Sequence, residues 1–198
     1  MIATILLIRH AAHGHLGNIL TGRMEGVGLT TEGMRQAERL GDRLKEQPLI
    51  AVHSSPSLRA QQTAQVVARA HRLEVGTVDD LAEVDFGVWT GRSFAELHAD
   101  PRWRDWNEQR GTAAAPDGET MLAVQERAWR HVAENAGKVG EAMIAMVSHC
   151  DVIRAVIARA LGMSLNNLLR FDIAPASVSR LAVGSWGEKV ISINEQAA

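Results

Sequence analysis

The chain has 198 residues, 46 % of them hydrophobic, which is enough for one sizeable α/β core and makes one domain over 1–198 the expectation. A net charge of −2 gives no electrostatic case for a nucleic-acid or membrane-surface partner. The single cysteine, Cys150, excludes an intramolecular disulfide and fits a reducing cytoplasm. No apolar run reaches the about 18 residues that span a bilayer, and the N-terminus lacks the basic start of a signal peptide.

Residues 4–10, Thr-Ile-Leu-Leu-Ile-Arg-His, are a short apolar β run that stops on Arg9 and His10. A strand ending on such groups presents them at the carboxyl edge of a sheet, where open α/β proteins build their ligand crevices. A Gly-rich loop follows from Ala11 to Leu29. The spacing of Met34, Ala37, Leu40 and Leu44 predicts a helix over Thr30–Lys45. Strand Ile50–His53 leads into Ser54 to Arg59, with Ser55 read as N-cap and Pro56 as the first residue of a helix whose apolar face is Leu58, Val66, Val67 and Ala70.

A short strand near Glu74–Val78 precedes a loop, Leu81 to Gly87, that carries Glu83. Residues 93–118 are polar and bear Trp103, Trp106 and several arginines. They read as a lid or insertion, with the two tryptophans on a solvated amphipathic face. A helix over Glu119–Asn135, a strand over Met143–Val147 ending on Ser148-His149, and a helix over Val152–Leu161 follow. Two weakly alternating stretches, Val178–Val183 and Val190–Ile193, are expected to be edge strands. Strands alternating with helices predict a three-layer α/β/α sandwich, mostly parallel, with helices on both faces.

Three strands thus deliver Arg9-His10, Arg59 and His149 to one edge. Guanidinium forks match the oxygens of a phosphoryl group and stay charged at any working pH. The set suggests phosphate held by arginines and attacked by a histidine. Glu83 is either a general acid raised in pKa by a half-apolar setting or an ordinary loop glutamate, and the residues alone leave both open. His10, His13 and His15, with His149 and Asp151, are the candidate metal ligands. The spacing H-x-x-H-x-H lacks the following Asp-His of dinuclear hydrolases, so the three histidines read as a polar rim and no metal or cofactor is expected. Gly22, Gly26 and Gly28 form no dinucleotide or Walker pattern. Cys150 reads as a packed small residue, although a helix N-terminus would lower a thiol pKa.

These pieces, in order, resemble the histidine phosphatase (phosphoglycerate-mutase-like) superfamily: Leu7-Ile8-Arg9-His10, Asn18 through Thr21-Gly22-Arg23, Ser54 through Ala64, Leu81 through Gly91, Pro116-Asp117-Gly118-Glu119-Thr120 and Val147-Ser148-His149. The resemblance implies that His10 is the phosphorylated nucleophile and Glu83 the proton donor. Arg9, Arg59 and His149 would line the phosphate pocket, with Asn18, Thr21 and Gly22 binding substrate beside them. Ala11 and Cys150 stand where the family usually has glycine, and the compact Phe86-Gly87-Val88-Trp89 is the phosphatase-like version. The expectation is a metal-independent phosphomonoesterase acting on a small phosphorylated metabolite. A phosphomutase and a non-catalytic phospho-ligand sensor are the alternatives, and a homodimer is left open.

Overall fold

The computed structural model describes residues 2–139 and 141–196. Its frame is a six-stranded mixed sheet in the order β3-β2-β4-β1-β5-β6. The strands are β1 (Ile2–Arg9), β2 (Leu49–Ser54), β3 (Val75–Thr77), β4 (Met143–Ser148), β5 (Val178–Gly184) and β6 (Gly187–Glu195). Strands β3, β2, β4 and β1 run parallel, while β5 and β6 add an antiparallel hairpin beside β1. Only β6 of the two C-terminal strands is an edge. β5 lies inside the sheet, which explains why Val178, Leu181 and Ala182 are buried where an edge strand was expected.

Alternation along the central strands sorts the core into two layers. Leu6, Ile8, Ala145 and Val147 face helices α1 (Thr31–Leu44) and α2 (Leu58–His71). Ile5, Leu7, Ile144 and Met146 face α5 (Met121–Val139) and α6 (Cys150–Ala160). Helix α1 follows its predicted bounds closely, with Thr30 as N-cap accepting from the Gly33 N–H. Gly33 is required there, since a Cβ would sit 1.9 Å from the Ala12 carbonyl oxygen.

Helix α2 begins later than expected, with Ser57 at the N-cap. The Ser55 hydroxyl accepts from the Ser57 N–H ahead of the helix at 3.3 Å and lies 2.8 Å from Nε2 of His149. Its buried face also differs: Arg59, Ala60, Thr63, Ala64, Val67 and Ala68 turn inward, and Leu58 is 44 % exposed. Drawing Arg59 into the sheet edge rotates the helix and leaves small side chains to pack against α1.

Residues 93–118 contain two short helices, α3 (Phe94–His98) and α4 (Pro101–Glu108). Their tryptophans are not solvated: Trp106 is 1 % and Trp103 8 % exposed. Both pack with Phe86 and Trp89 in edge-on and stacked arrangements, ring centroids 5.3–6.5 Å apart. An amphipathic period in so short a helix does not say which face is buried. Helix α5 starts after Glu119, whose side chain and backbone are engaged with the Glu83 loop. No helix among the described residues is long and apolar enough to cross a membrane.

Candidate active site

The parallel register Arg9↔Ser148 and Ser54↔Val147 brings the carboxyl ends of β1, β4 and β2 side by side. Backbone bonds extend the pairing past the strands, from His10 N to the Ser148 carbonyl and from Ser55 N to the Val147 carbonyl. His10, Arg59 and His149 therefore meet in one place, each 3 % exposed or less. The His10 and His149 ring centroids are 5.1 Å apart.

His10 donates from Nδ1 to the Ala11 carbonyl oxygen at 2.8 Å. That bond leaves Nε2 with its lone pair, facing Nε of Arg59 at 3.4 Å. Burial, then the positive fields of Arg59 and Arg9, hold its pKa well below the usual histidine value. The ring is a neutral base, as an attacking nitrogen must be. Ala11, in the place of the usual glycine, removes nothing: its N–H donates to Thr63 Oγ1 and its carbonyl orients the histidine.

Arg59 donates from Nη2 to the Gly22 carbonyl at 2.8 Å and reaches Nδ1 of His149 at 3.3 Å. Its Nη1 is buried without a hydrogen-bond partner among the described residues, and so is Nε of Arg9. Arg9 is otherwise tied by Nη1 to the Ile173 carbonyl at 2.6 Å. Two guanidinium groups with orphaned N–H donors beside a neutral imidazole nitrogen match the charge and the acceptors of a dianion.

Glu83 sits in the loop beyond β3 with Oε2 3.6 Å from Nδ1 of His149. Burial first, then the nearby carboxylate of Asp151, pushes its pKa up to about 7. Asp151 itself stays ionised, because Arg110 and Arg154 outweigh the cost of its burial. His149 is held neutral by burial and by Arg59.

Arg9, His10, Glu83 and Asp151 line a cavity of about 210 Å³, together with His13, Thr21, Gly22, Phe86 and Cys150, while Arg59 and His149 are fully buried behind that wall, beside His10. Asn18 is exposed and is not among the lining residues. Its carbonyl accepts from Phe94 N, which makes it a support for the start of α3. His13 is buried in the wall and not on a rim, its pKa lowered to about 4 by desolvation and the two arginines. Among the described residues no three His, Cys, Asp or Glu side chains converge as metal ligands. The Cys150 thiol is pushed up to about 11 by burial, so it is inert packing despite its place at the start of α6.

A second cavity, of about 640 Å³, adjoins the first at Leu20, Phe94 and Asp151, and residues of α3 and α4 wall it. It gives the 93–118 segment a place beside the reacting group. The sequence did not single out Ser55 or Thr63, whose hydroxyls serve His149 and Ala11, nor the Arg127 side chain that grips the Glu83 loop. Ser55 was visible only as a helix cap, and Arg127 carried no signal within a polar helix face.

Parallel strands that end on Arg9-His10 and on Ser148-His149, with Arg59 of α2 and the raised Glu83 beside them, assemble the groups that phosphoryl transfer calls for. The model for the histidine phosphatase superfamily (branch 1) matches residues 5–196, and the chain belongs to that superfamily. It is 28 % identical over 195 residues to phosphoserine phosphatase 1 of Hydrogenobacter thermophilus, covering 96 % of this chain and 91 % of that one. It is equally 28 % identical over 195 residues to the adenosylcobalamin/alpha-ribazole phosphatase of Escherichia coli, covering 97 % and 91 %. Among solved structures, Bacillus stearothermophilus YhfR superposes with a TM-score of 0.92 at 25 % identity, covering 98 % of this chain and 97 % of that one.

Proposed function

We propose that this protein hydrolyses the phosphomonoester of a small metabolite through a phosphohistidine intermediate. The observation that carries the reading is His10, its Nδ1 committed to the Ala11 carbonyl and its Nε2 directed at the guanidinium of Arg59. The named phosphatases among its relatives, full-length matches acting on different phosphorylated compounds, support hydrolysis of a small ester.

The substrate phosphoryl group lies against Arg9, Arg59 and His149, with Thr21 and Gly22 at the rim. Nε2 of His10 attacks phosphorus in line with the leaving oxygen. The P–O bond to the alcohol breaks as protonated Glu83 gives its proton to that oxygen, leaving phosphohistidine and free alcohol. Ionised Glu83 then takes a proton from water, whose oxygen attacks phosphorus, and the P–N bond returns its electrons to His10. A loose phosphoryl transition state leaves the protein mainly positioning and charge neutralisation to supply, which the two guanidinium groups provide without a metal.

The test is to quench turnover and look for an acid-labile, base-stable phosphoprotein. It should form in the wild type and be absent from His10→Ala, which should also lose turnover. Activity in that variant within about tenfold of wild type would overturn the assignment. A mutase would return labelled phosphate to a second substrate, whereas the expected label appears as inorganic phosphate.

A further inference from the structure

The turn Pro116 to Thr120 carries no group that lines the phosphate cavity, yet it lies closer to the Glu83 loop than any side chain would permit. A Cβ at Gly118 would meet the Asp85 carbonyl oxygen at 2.3 Å, and one at Gly87, whose φ is +51°, would meet the Pro116 carbonyl oxygen at 2.0 Å. Reciprocal backbone bonds join the two segments, from Glu119 N to Asp85 O and from Val88 N to Pro116 O. The Glu119 carboxylate completes the contact. Its Oε2 accepts from Asp85 N at 2.9 Å, Arg23 Nη2 at 2.9 Å and Arg127 Nη2 at 3.0 Å, and its Oε1 accepts from Arg127 Nε at 3.0 Å.

The same two arginines converge on one further atom, the backbone carbonyl oxygen of Glu83. Arg23 Nε donates to it at 2.9 Å and Arg127 Nη2 at 3.2 Å. Arg127 Nη1 donates also to Asp80 O at 2.8 Å, one turn upstream. Residues 82–86 belong to no helix or strand, so these bonds replace the ladder that would otherwise fix them. The Glu83 side chain is oriented from the same peptide, with Oε1 accepting from Val84 N at 2.9 Å.

We propose that Glu119 is a positioning residue for the proton-transfer step: its carboxylate clamps Arg23 and Arg127, which together hold the Glu83 carbonyl and so aim the acid at the leaving oxygen. The proposal rests on Glu83 being the acid in hydrolysis. An ionised carboxylate is what four donors require, since an amide in its place would turn an N–H₂ toward guanidinium groups. Burial raises the Glu119 pKa, but the hydrogen bonds from Arg127 and from Asp85 N outweigh it and keep it below the ordinary value. Glu119 therefore stays charged while Glu83 holds its proton, and the two acids do not compete for one role.

The experiment compares two esters, glycerol phosphate with a poor leaving group and p-nitrophenyl phosphate with a good one. Glu119→Gln should lower kcat about 10²-fold on glycerol phosphate, the scale of a misplacement near one ångström, and less than about threefold on p-nitrophenyl phosphate. KM for both should hold within about twofold, because the arginines that take the phosphoryl group are untouched. The alkaline limb of the glycerol phosphate profile should move to lower pH as the loosened loop admits water to Glu83. Glu119→Asp, which keeps the charge, should recover part of the loss. Arg23→Met, at the more exposed side of the clamp, removes one donor without opening the core and should cost about tenfold on glycerol phosphate alone; it decides the matter if Glu119→Gln does not fold. Equal loss on both esters with an unmoved limb, or no loss on either, would overturn the clamp while leaving hydrolysis in place. A wild type inert on both esters would overturn the hydrolytic reading and the clamp with it.

Discussion

The Glu83 carboxyl and the His149 imidazole stand 3.6 Å apart, Oε2 to Nδ1, and in this protein they are not an ion pair. Burial and Asp151 raise the carboxyl, while burial and Arg59 lower the imidazole, so below about pH 7 both partners are neutral. The positive charge of the site then resides on Arg9 and Arg59, and Glu83 holds a proton, the one that the proposed mechanism gives to the departing alkoxide. One environment separates the two duties, because removing water disfavours charge on acid and base alike.

That separation sets the pH dependence. On an alkyl phosphate, kcat/KM should climb as His10 loses its proton, a limb lying well below pH 6.5 because burial, Arg59 and Arg9 all disfavour the imidazolium. It should fall as pH rises through about 7, where Glu83 ionises and can no longer donate. In Glu83→Gln the alkaline limb should flatten, with a loss of roughly 10²–10⁴-fold on the alkyl ester and a smaller one on an aryl phosphate. A wild-type optimum above pH 8 on the alkyl ester would contradict the role given to Glu83.

The elements that place these groups are legible in the sequence because the chemistry sits where hydrophobic runs stop. Ile8 and Val147 are buried, the next residues are Arg9 and Ser148-His149, and a parallel register aligns the two ends. Less legible is whatever depends on which way a short segment turns. Ser55 reads as a cap by type, but its hydroxyl is shared between the Ser57 N–H and His149, and the helix waits until Leu58. Asn18 follows a family motif in order, yet it is exposed and absent from the cavity wall that its neighbours Gly17 and Ile19 help to line. The arginines of the Glu83 clamp come from Arg23 and Arg127, residues 104 positions apart, and no local period links them.

Catalysis should survive metal removal. Arg9 on the cavity wall and Arg59 beside His10 supply two fixed positive charges, and each keeps an orphaned N–H that a phosphoryl oxygen would match. Dialysis against a chelator should leave the rate on p-nitrophenyl phosphate unchanged, and orthovanadate should inhibit as a five-coordinate mimic. Loss of rate that zinc or manganese restores would bring His13, His15 and Asp151 back as ligands.

The last prediction separates the two kinds of tryptophan in this chain. Trp106 is 1 % exposed and packs against Phe86, Trp89 and Trp103, with the Arg110 guanidinium 4.2 Å from its ring centroid. Arg110 in turn lies 3.0 Å from Asp151, the carboxylate that helps keep Glu83 protonated. Trp106→Ala therefore opens a cavity in the core and frees the arginine that restrains Asp151. It should cost about 3–5 kcal/mol of stability, read as a shifted denaturant midpoint. Trp186, at the tip of the β5–β6 hairpin, is 55 % exposed, and its replacement by alanine should change stability by less than about 0.5 kcal/mol. The discriminating measurement is the alkaline limb at a temperature where Trp106→Ala remains folded. It should move, because a freed Arg110 no longer offsets Asp151 as it does in the wild type, whereas Trp186→Ala should leave the limb in place. If Trp106→Ala lost stability with no change in the limb, the aromatic cluster would be packing alone, and Asp151 would take its setting from Arg154.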